Sequence, residues 1–174
     1  MAQSDSPSLH LILGGARSGK SRLAEKLAAQ TGLAVCYVAT ATAGDAEMAA
    51  RIAKHQNDRP NDWQLIEAPL DLADVIATWS HPDRVLLIDC LTLWLSNALH
   101  QGCWPSEREN FLAALDHAKG PVLMVSNEVG QGIVPLGELT RQFVDEAGWL
   151  HQAIAEKATE VSFVIAGLAQ KLKG

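Results

Sequence analysis

The residues best suited to chemistry in this chain are Gly14, Gly15, Ala16, Arg17, Ser18, Gly19, Lys20 and Ser21, a full match to G-x-x-x-x-G-K-[ST]. Glycines at these spacings let successive backbone N–H groups turn inward around phosphate oxygens. The N-terminus of a following helix adds partial positive charge. In such a phosphate-binding loop, Lys20 reaches the β- and γ-phosphates of a nucleotide, and the Ser21 hydroxyl ligates Mg²⁺. The pattern by itself also describes a glycine-rich turn that binds nothing. An apolar strand before it and an Ala/Leu-rich helix after it favour the phosphate reading.

A second acidic position belongs with the first motif. Val85-Leu86-Leu87-Ile88 is an apolar run ending in Asp89, which places a carboxylate at the end of a buried strand. Such a group holds Mg²⁺ directly or through water. Asn127 and Glu128 follow the next apolar run in the same manner. Glu128 there orients an acceptor hydroxyl, contacts a nucleotide or caps the turn. The one basic cluster is 51–59, where Arg51, His55 and Arg59 recur every fourth residue and share one side of a helix. Two guanidinium groups suit phosphate, and a neutral imidazole between them suits nucleophilic attack on phosphorus. Spacing alone favours a solvated helix face.

The elements that must hold these groups read as strands alternating with helices. Strands are predicted at Leu9–Leu13, Leu33–Ala39, Trp63–Glu67, Val85–Ile88, Pro121–Ser126 and, as the closing strand, Val161–Ala166. Helices are predicted at Gly19–Gln30, Asp45–Gln56, Leu70–Trp79, Leu91–Leu99, Pro105 or Ser106 to Lys119, and Leu136 or Leu139 to Ala158. Continuous apolar runs separated by helices indicate parallel strands buried on both faces. The fold class is therefore α/β, a doubly wound, mostly parallel sheet flanked by helices, with ligands at the carboxyl ends of the strands. His100–Ser106 and Gly130–Gly137 are the most irregular stretches. Trp104, in the first of these, is the tryptophan best placed for a surface contact.

Composition limits the partners. Fourteen Lys plus Arg against 20 Asp plus Glu leave a formal charge of −6, with 48% hydrophobic residues. That balance describes one folded domain, 9–174 after a loose tail at 1–8, and opposes broad nucleic-acid binding. No apolar window is long enough for a membrane span, and the tail has no basic signal-peptide region. Cys36, Cys90 and Cys103 form no CxxC pair and read as small thiols in a reducing cytoplasm. Phosphate must then be bound by local devices rather than by net charge.

Beyond these residues the chain resembles the bifunctional adenosylcobinamide kinase/adenosylcobinamide-phosphate guanylyltransferases of cobalamin biosynthesis. The resemblance is carried by 14–22 with Ala24-Glu25, by Tyr37-Val38-Ala39-Thr40, and by Asp45-Ala46-Glu47-Met48 leading to Arg51-Ile52 and His55. Arg59-Pro60 and Trp63 continue it, and Asn127-Glu128-Val129-Gly130-Gln131-Gly132-Ile133-Val134-Pro135 is its most specific stretch. It implies a RecA-like P-loop NTPase fold and a homotrimer. It also implies two activities: phosphorylation of adenosylcobinamide with ATP or GTP, then transfer of GMP from GTP to adenosylcobinamide phosphate. The family's histidyl-GMP position matches His55, with Lys20 as the second catalytic residue. Its nucleotide contacts match the P-loop together with Ala39, Thr40, Ala41, Gln56, Asn57, Asp58, Arg59, Glu67 and Asp89. Ser21 and Asp89 are the metal positions. The alternatives on residues alone are a small-molecule kinase without guanylyl transfer and a nucleotide-dependent switch.

Overall fold

Runs of four to six apolar residues leave no face for water, so they settle where both faces are covered. In the computed structural model, which describes residues 7–42, 60 and 62–174, these runs form the interior of one sheet. The strands are β1 Leu9–Gly14, β2 Ala34–Ala39, β3 Gln64–Glu67, β4 Arg84–Asp89, β5 Val122–Asn127, β6 Glu160–Ile165 and β7 Leu168–Lys173. The helices among the described residues are α1 Lys20–Gln30, α2 Leu72–Trp79, α3 Leu91–Gln101, α4 Trp104–Leu115 and α5 Glu138–Lys157. The helix expected over Asp45–Gln56 lies outside the described residues.

The strand order is β3-β2-β4-β5-β1-β6-β7. Neighbours from β3 to β6 pair in parallel, and β7 pairs antiparallel with β6. Alternate residues divide between two cores. Leu11, Leu13, Val38, Ile88 and Met124 face Leu72, Trp94, Phe111 and Leu150, which come from α2, α3, α4 and α5. Ile12, Tyr37, Leu87 and Val125 face Ala24 and Ala28 of α1. Small alanines at i and i+4 let α1 lie close to the strands, and this brings its N-terminus to the carboxyl end of β1.

Two expectations are corrected. Val161–Ala166 does not close the sheet: Ala166 (φ 51°) and Gly167 (φ 78°) turn the chain, and β7 returns along β6. The strand carries no apolar run because all six of its residues are exposed and lysines alternate through its second half, a composition that protects an edge rather than a core. Trp104 is not a surface contact. It is 3% exposed and lies edge-on to Trp94 with ring centroids 5.1 Å apart, its Nε1–H donating to Glu146 at 2.7 Å. The supposedly irregular stretch before it is a tight turn. Gly102 (φ 69°) ends α3, Cys103 N–H returns to Ala98 O at 3.0 Å, and α4 begins at once.

Cys36 and Cys90 are buried, and all three cysteines are free. No helix among the described residues is long and apolar enough to cross a membrane. Before β5, a Cβ on Gly120 would lie 2.0 Å from His81 O, so the chain passes there only as glycine.

Trp94 is fully buried between Trp104 and Phe111, its ring 4.9 Å from the latter. Trp94→Ala should lower the free energy of unfolding by about 3–5 kcal/mol in a denaturant titration. Burial also holds His10 and His151 below the ordinary imidazole pKa of 6.5, each paired with a serine hydroxyl. A lowered folded-state pKa means stability present above pH 6.5 and lost as pH falls through the folded value. Unfolding midpoints should therefore decline on acidification below that point, and His10→Gln should flatten the decline.

Candidate active site

The loop between β1 and α1 is shaped by close backbone approach. Gly14 ends β1 with so little room that a Cβ would meet Ser18 Oγ at 2.5 Å and Val164 O at 2.7 Å. Arg17 (φ 55°) and Gly19 (φ 96°) occupy the left-handed region, which curls the loop over the start of α1. Ser18 N–H returns to Gly15 O at 3.3 Å, and Gly167 N–H donates to Ser18 O at 2.8 Å. The β6–β7 turn thus braces the loop from outside. Ser18 Oγ is buried without a hydrogen-bond partner. Such a hydroxyl at the mouth of a helix suits an anion's oxygen.

Helix α1 has no side-chain cap and no acidic residue in its first turn. Its first N–H groups have no partner inside the helix, and they carry the positive end of its dipole. Lys20 is 8% exposed, and its Nζ donates to Gly15 O at 3.0 Å. Burial lowers its pKa, while the nearby Cys90 and Asp89 pull in the opposite direction.

Asp89 ends β4, which β5 separates from β1. Two strand spacings make roughly 10 Å between the backbones, a gap Lys20 and a nucleotide phosphate would span. Tyr37 OH donates to Asp89 Oδ2 at 3.0 Å, orienting the carboxylate. Thr40 clamps this edge: its Oγ1 donates to Cys90 O at 2.7 Å and accepts from Cys90 N–H at 2.9 Å. Asn97 of α3 reaches over to donate to Thr40 O at 2.9 Å and Pro69 O at 3.0 Å. Sequence reasoning missed Asn97, whose helical position carries no local sign that two strand ends converge on it.

The sheet brings Gly14–Ser21, Ala39, Thr40, Ala41 and Asp89 to one edge. Glu67 ends β3 on the same edge, but four strand spacings from β1, roughly 19 Å away. Gln56, Asn57, Asp58, Arg59 and His55, with Arg51, lie outside the described residues in the segment between β2 and β3. Among the described residues no group of three or more His, Cys, Asp or Glu is placed to hold a metal ion. Ser21 and Asp89 offer one hydroxyl and one carboxylate. That set fits a cation such as Mg²⁺, which is bound by one or two protein oxygens together with phosphate and water.

Asn127 and Glu128, at the end of β5, stand beside the loop. Glu128 N–H donates to Gly14 O at 3.0 Å, and Asn127 N–H donates to Thr92 Oγ1 at 3.0 Å.

A mostly parallel sheet with a phosphate loop after an interior strand, and a carboxylate two strands away, defines a P-loop nucleotide-binding protein of the RecA type. Solved structures agree on this fold. The flagellar accessory protein FlaH of Methanocaldococcus jannaschii superposes with a TM-score of 0.52 at 18% identity, covering 97% of this chain and 80% of that one. The RadB recombinase gives 0.51 at 15% identity, covering 91% and 74%. The family model for cobinamide kinase / cobinamide phosphate guanyltransferase matches residues 10–172. The chain is 57% identical over 167 residues to the bifunctional adenosylcobalamin biosynthesis protein CobP of Pseudomonas aeruginosa, covering 94% of this chain and 96% of that protein. With CobU of Escherichia coli, of the same descriptive name, identity is 37% over 94% of this chain and 98% of the relative. The chain belongs to the cobinamide kinase / cobinamide phosphate guanyltransferase family.

The two first glycines of the loop should separate experimentally. A Cβ on Gly14 collides with Ser18 and Val164, whereas one on Gly15 meets nothing within 4 Å. Gly14→Ala should cost about 1–3 kcal/mol of stability in thermal unfolding. Gly15→Ala should fold as well as the parent chain, and its loss should appear in nucleotide titrations instead.

Proposed function

We propose that this protein carries out both transfers of its family at the carboxyl edge of the sheet. In the first, the terminal phosphoryl group of ATP or GTP passes to the hydroxyl of adenosylcobinamide. In the second, GMP from GTP passes to the new phosphate, giving adenosylcobinamide-GDP and pyrophosphate. The observation carrying this reading is the phosphate loop with its buried Lys20, set in a chain whose family match runs from residue 10 to 172.

In the phosphoryl step, the N–H groups of α1 and the Lys20 ammonium face the charge that builds on the transferred group. Lys20 is already desolvated, so its field acts in a medium that screens it weakly. Ser21 and Asp89 would hold Mg²⁺, which neutralises phosphate charge when bound. In the guanylyl step, His55 attacks the α-phosphorus of GTP and pyrophosphate leaves. The acceptor phosphate then takes GMP from the histidyl intermediate. Arg51 and Arg59, four residues to either side of His55, would steady phosphates. Glu67, four strand spacings from β1, would contact the nucleotide at the end away from its phosphates, and Gln56, Asn57 and Asp58 are nucleotide contacts in the same reading. A cytoplasmic homotrimer belongs to the same reading. The exposed apolar residues Trp149, Ile165, Leu168 and Leu172 are suited to contact between copies.

GTP labelled at the α-phosphate tests the mechanism. Labelled protein should form that is acid-labile and alkali-stable, and His55→Ala should abolish it. Active parent protein that stays unlabelled would remove the histidyl route and leave a kinase. Lys20→Ala should depress both reactions by about 10²-fold or more. Parent-like rates in that variant would refute a shared cradle.

A further inference from the structure

The phosphoryl step needs a group to take the proton from the acceptor hydroxyl, and the guanylyl step does not, because its acceptor is already an anionic phosphate. Among the described residues, two carboxylates at strand ends stand near the loop. Asp89 accepts a hydrogen bond from Tyr37 and belongs to the candidate metal position. Glu128 is placed differently: two hydrogen bonds hold it, and His151 faces its free oxygen.

Its backbone N–H donates to Gly14 O, tying it to the last residue before the phosphate loop. One carboxylate oxygen, Oε1, accepts from Gly130 N–H at 2.5 Å. The other, Oε2, lies 4.0 Å from Nδ1 of His151, whose Nε2 is 2.7 Å from Ser126 Oγ. His151 comes from the buried stripe of α5, with Ala147, Leu150 and Ile154, and its side chain is 8% exposed against 22% for Glu128. A carboxylate facing Nδ1 favours the tautomer with its proton on that nitrogen, so Ser126 O–H donates to Nε2. Ser126 and His151 are therefore a buried pair aimed at a partly open carboxylate beside the cradle. Both are buried polar side chains that satisfy each other, at positions where apolar residues of similar size would need no partner.

We propose that Glu128 is the general base of the phosphoryl step, and that His151, fixed by Ser126, is the residue that positions it. This rests on the kinase half of the function proposed above. As the acceptor oxygen bonds to the γ-phosphorus, its proton passes to Glu128 Oε2. The bond from the γ-phosphorus to the β,γ-bridging oxygen breaks, and the nucleoside diphosphate leaves with that electron pair. Glu128 afterwards returns the proton to solvent.

The two half-reactions are measured separately on the full-length chain: phosphorylation of adenosylcobinamide with ATP, and GMP transfer to supplied adenosylcobinamide phosphate. Glu128→Gln should lower the kinase kcat by about 10²–10⁴-fold, with GMP transfer and the thermal midpoint close to those of the parent. His151→Leu should lower the kinase kcat about tenfold through misplacement of the carboxylate, with the KM for ATP unchanged. His151→Asn, whose amide N–H falls near the position of Nδ1, should recover most of that loss. A kinase kcat retained in Glu128→Gln overturns the proposal, as does an equal loss of both half-reactions. His151→Asn no better than His151→Leu overturns the positioning role. A parent protein with GMP transfer but no kinase activity would remove the kinase reading itself, and this proposal with it.

Discussion

A lysine ammonium held almost out of water governs the arrangement of this molecule. Lys20 opens α1, yet its side chain folds back to the carbonyl of Gly15 and feels Asp89 from two strands away. Desolvating a charge is unfavourable, and its lowered pKa records that cost. The compensation comes from two elements brought to one edge: the loop carbonyl and the carboxylate ending β4. A phosphate would complete the set. The helix N-terminus, left without an acidic cap, adds to the same demand for negative charge.

Keeping that edge in place depends on contacts far apart in sequence. Thr40 joins the ends of β2 and β4, Asn97 spans β2 and the segment after β3, and Thr92 receives the end of β5. The β6–β7 turn, 149 positions after Ser18 in the chain at Gly167, closes on the loop. The edge is consequently braced around the phosphate loop, with short polar side chains bonded to backbone groups instead of long charged ones. With Lys20 and the N-terminus of α1 so placed, a chain of net charge −6 presents positive potential locally.

Much of the fold was legible along the chain. Val85–Ile88 and Val122–Val125 are apolar throughout, and such runs in a chain with intervening amphipathic segments have few options besides a parallel sheet. The edge strand β7 was not legible, because Lys171 and Lys173 on an exposed strand resemble a polar tail. Trp104 was misread for a related reason. Its neighbours Gly102, Cys103 and Pro105 look like a loop, but Gly102 in the left-handed region makes a helix junction that turns the indole inward onto Trp94. No local signal marks His151, because the hydrogen bond that pairs it with Ser126 crosses 25 residues.

By itself the sequence determined the local devices: the glycines, lysine and serine of 14–21, the carboxylate after 85–88, and the strand–helix alternation that carries them. Each is set by backbone sterics or by hydrophobic period within a few residues, and so is written where it acts. Tertiary structure alone decided the strand order, and with it the distances. It set β5 between β1 and β4, put Glu67 at the far end of the edge, and joined Ser126, His151 and Glu128 beside the cradle. Strand order follows from how two helical layers share the faces of one sheet, a competition among packings that no short stretch of sequence contains.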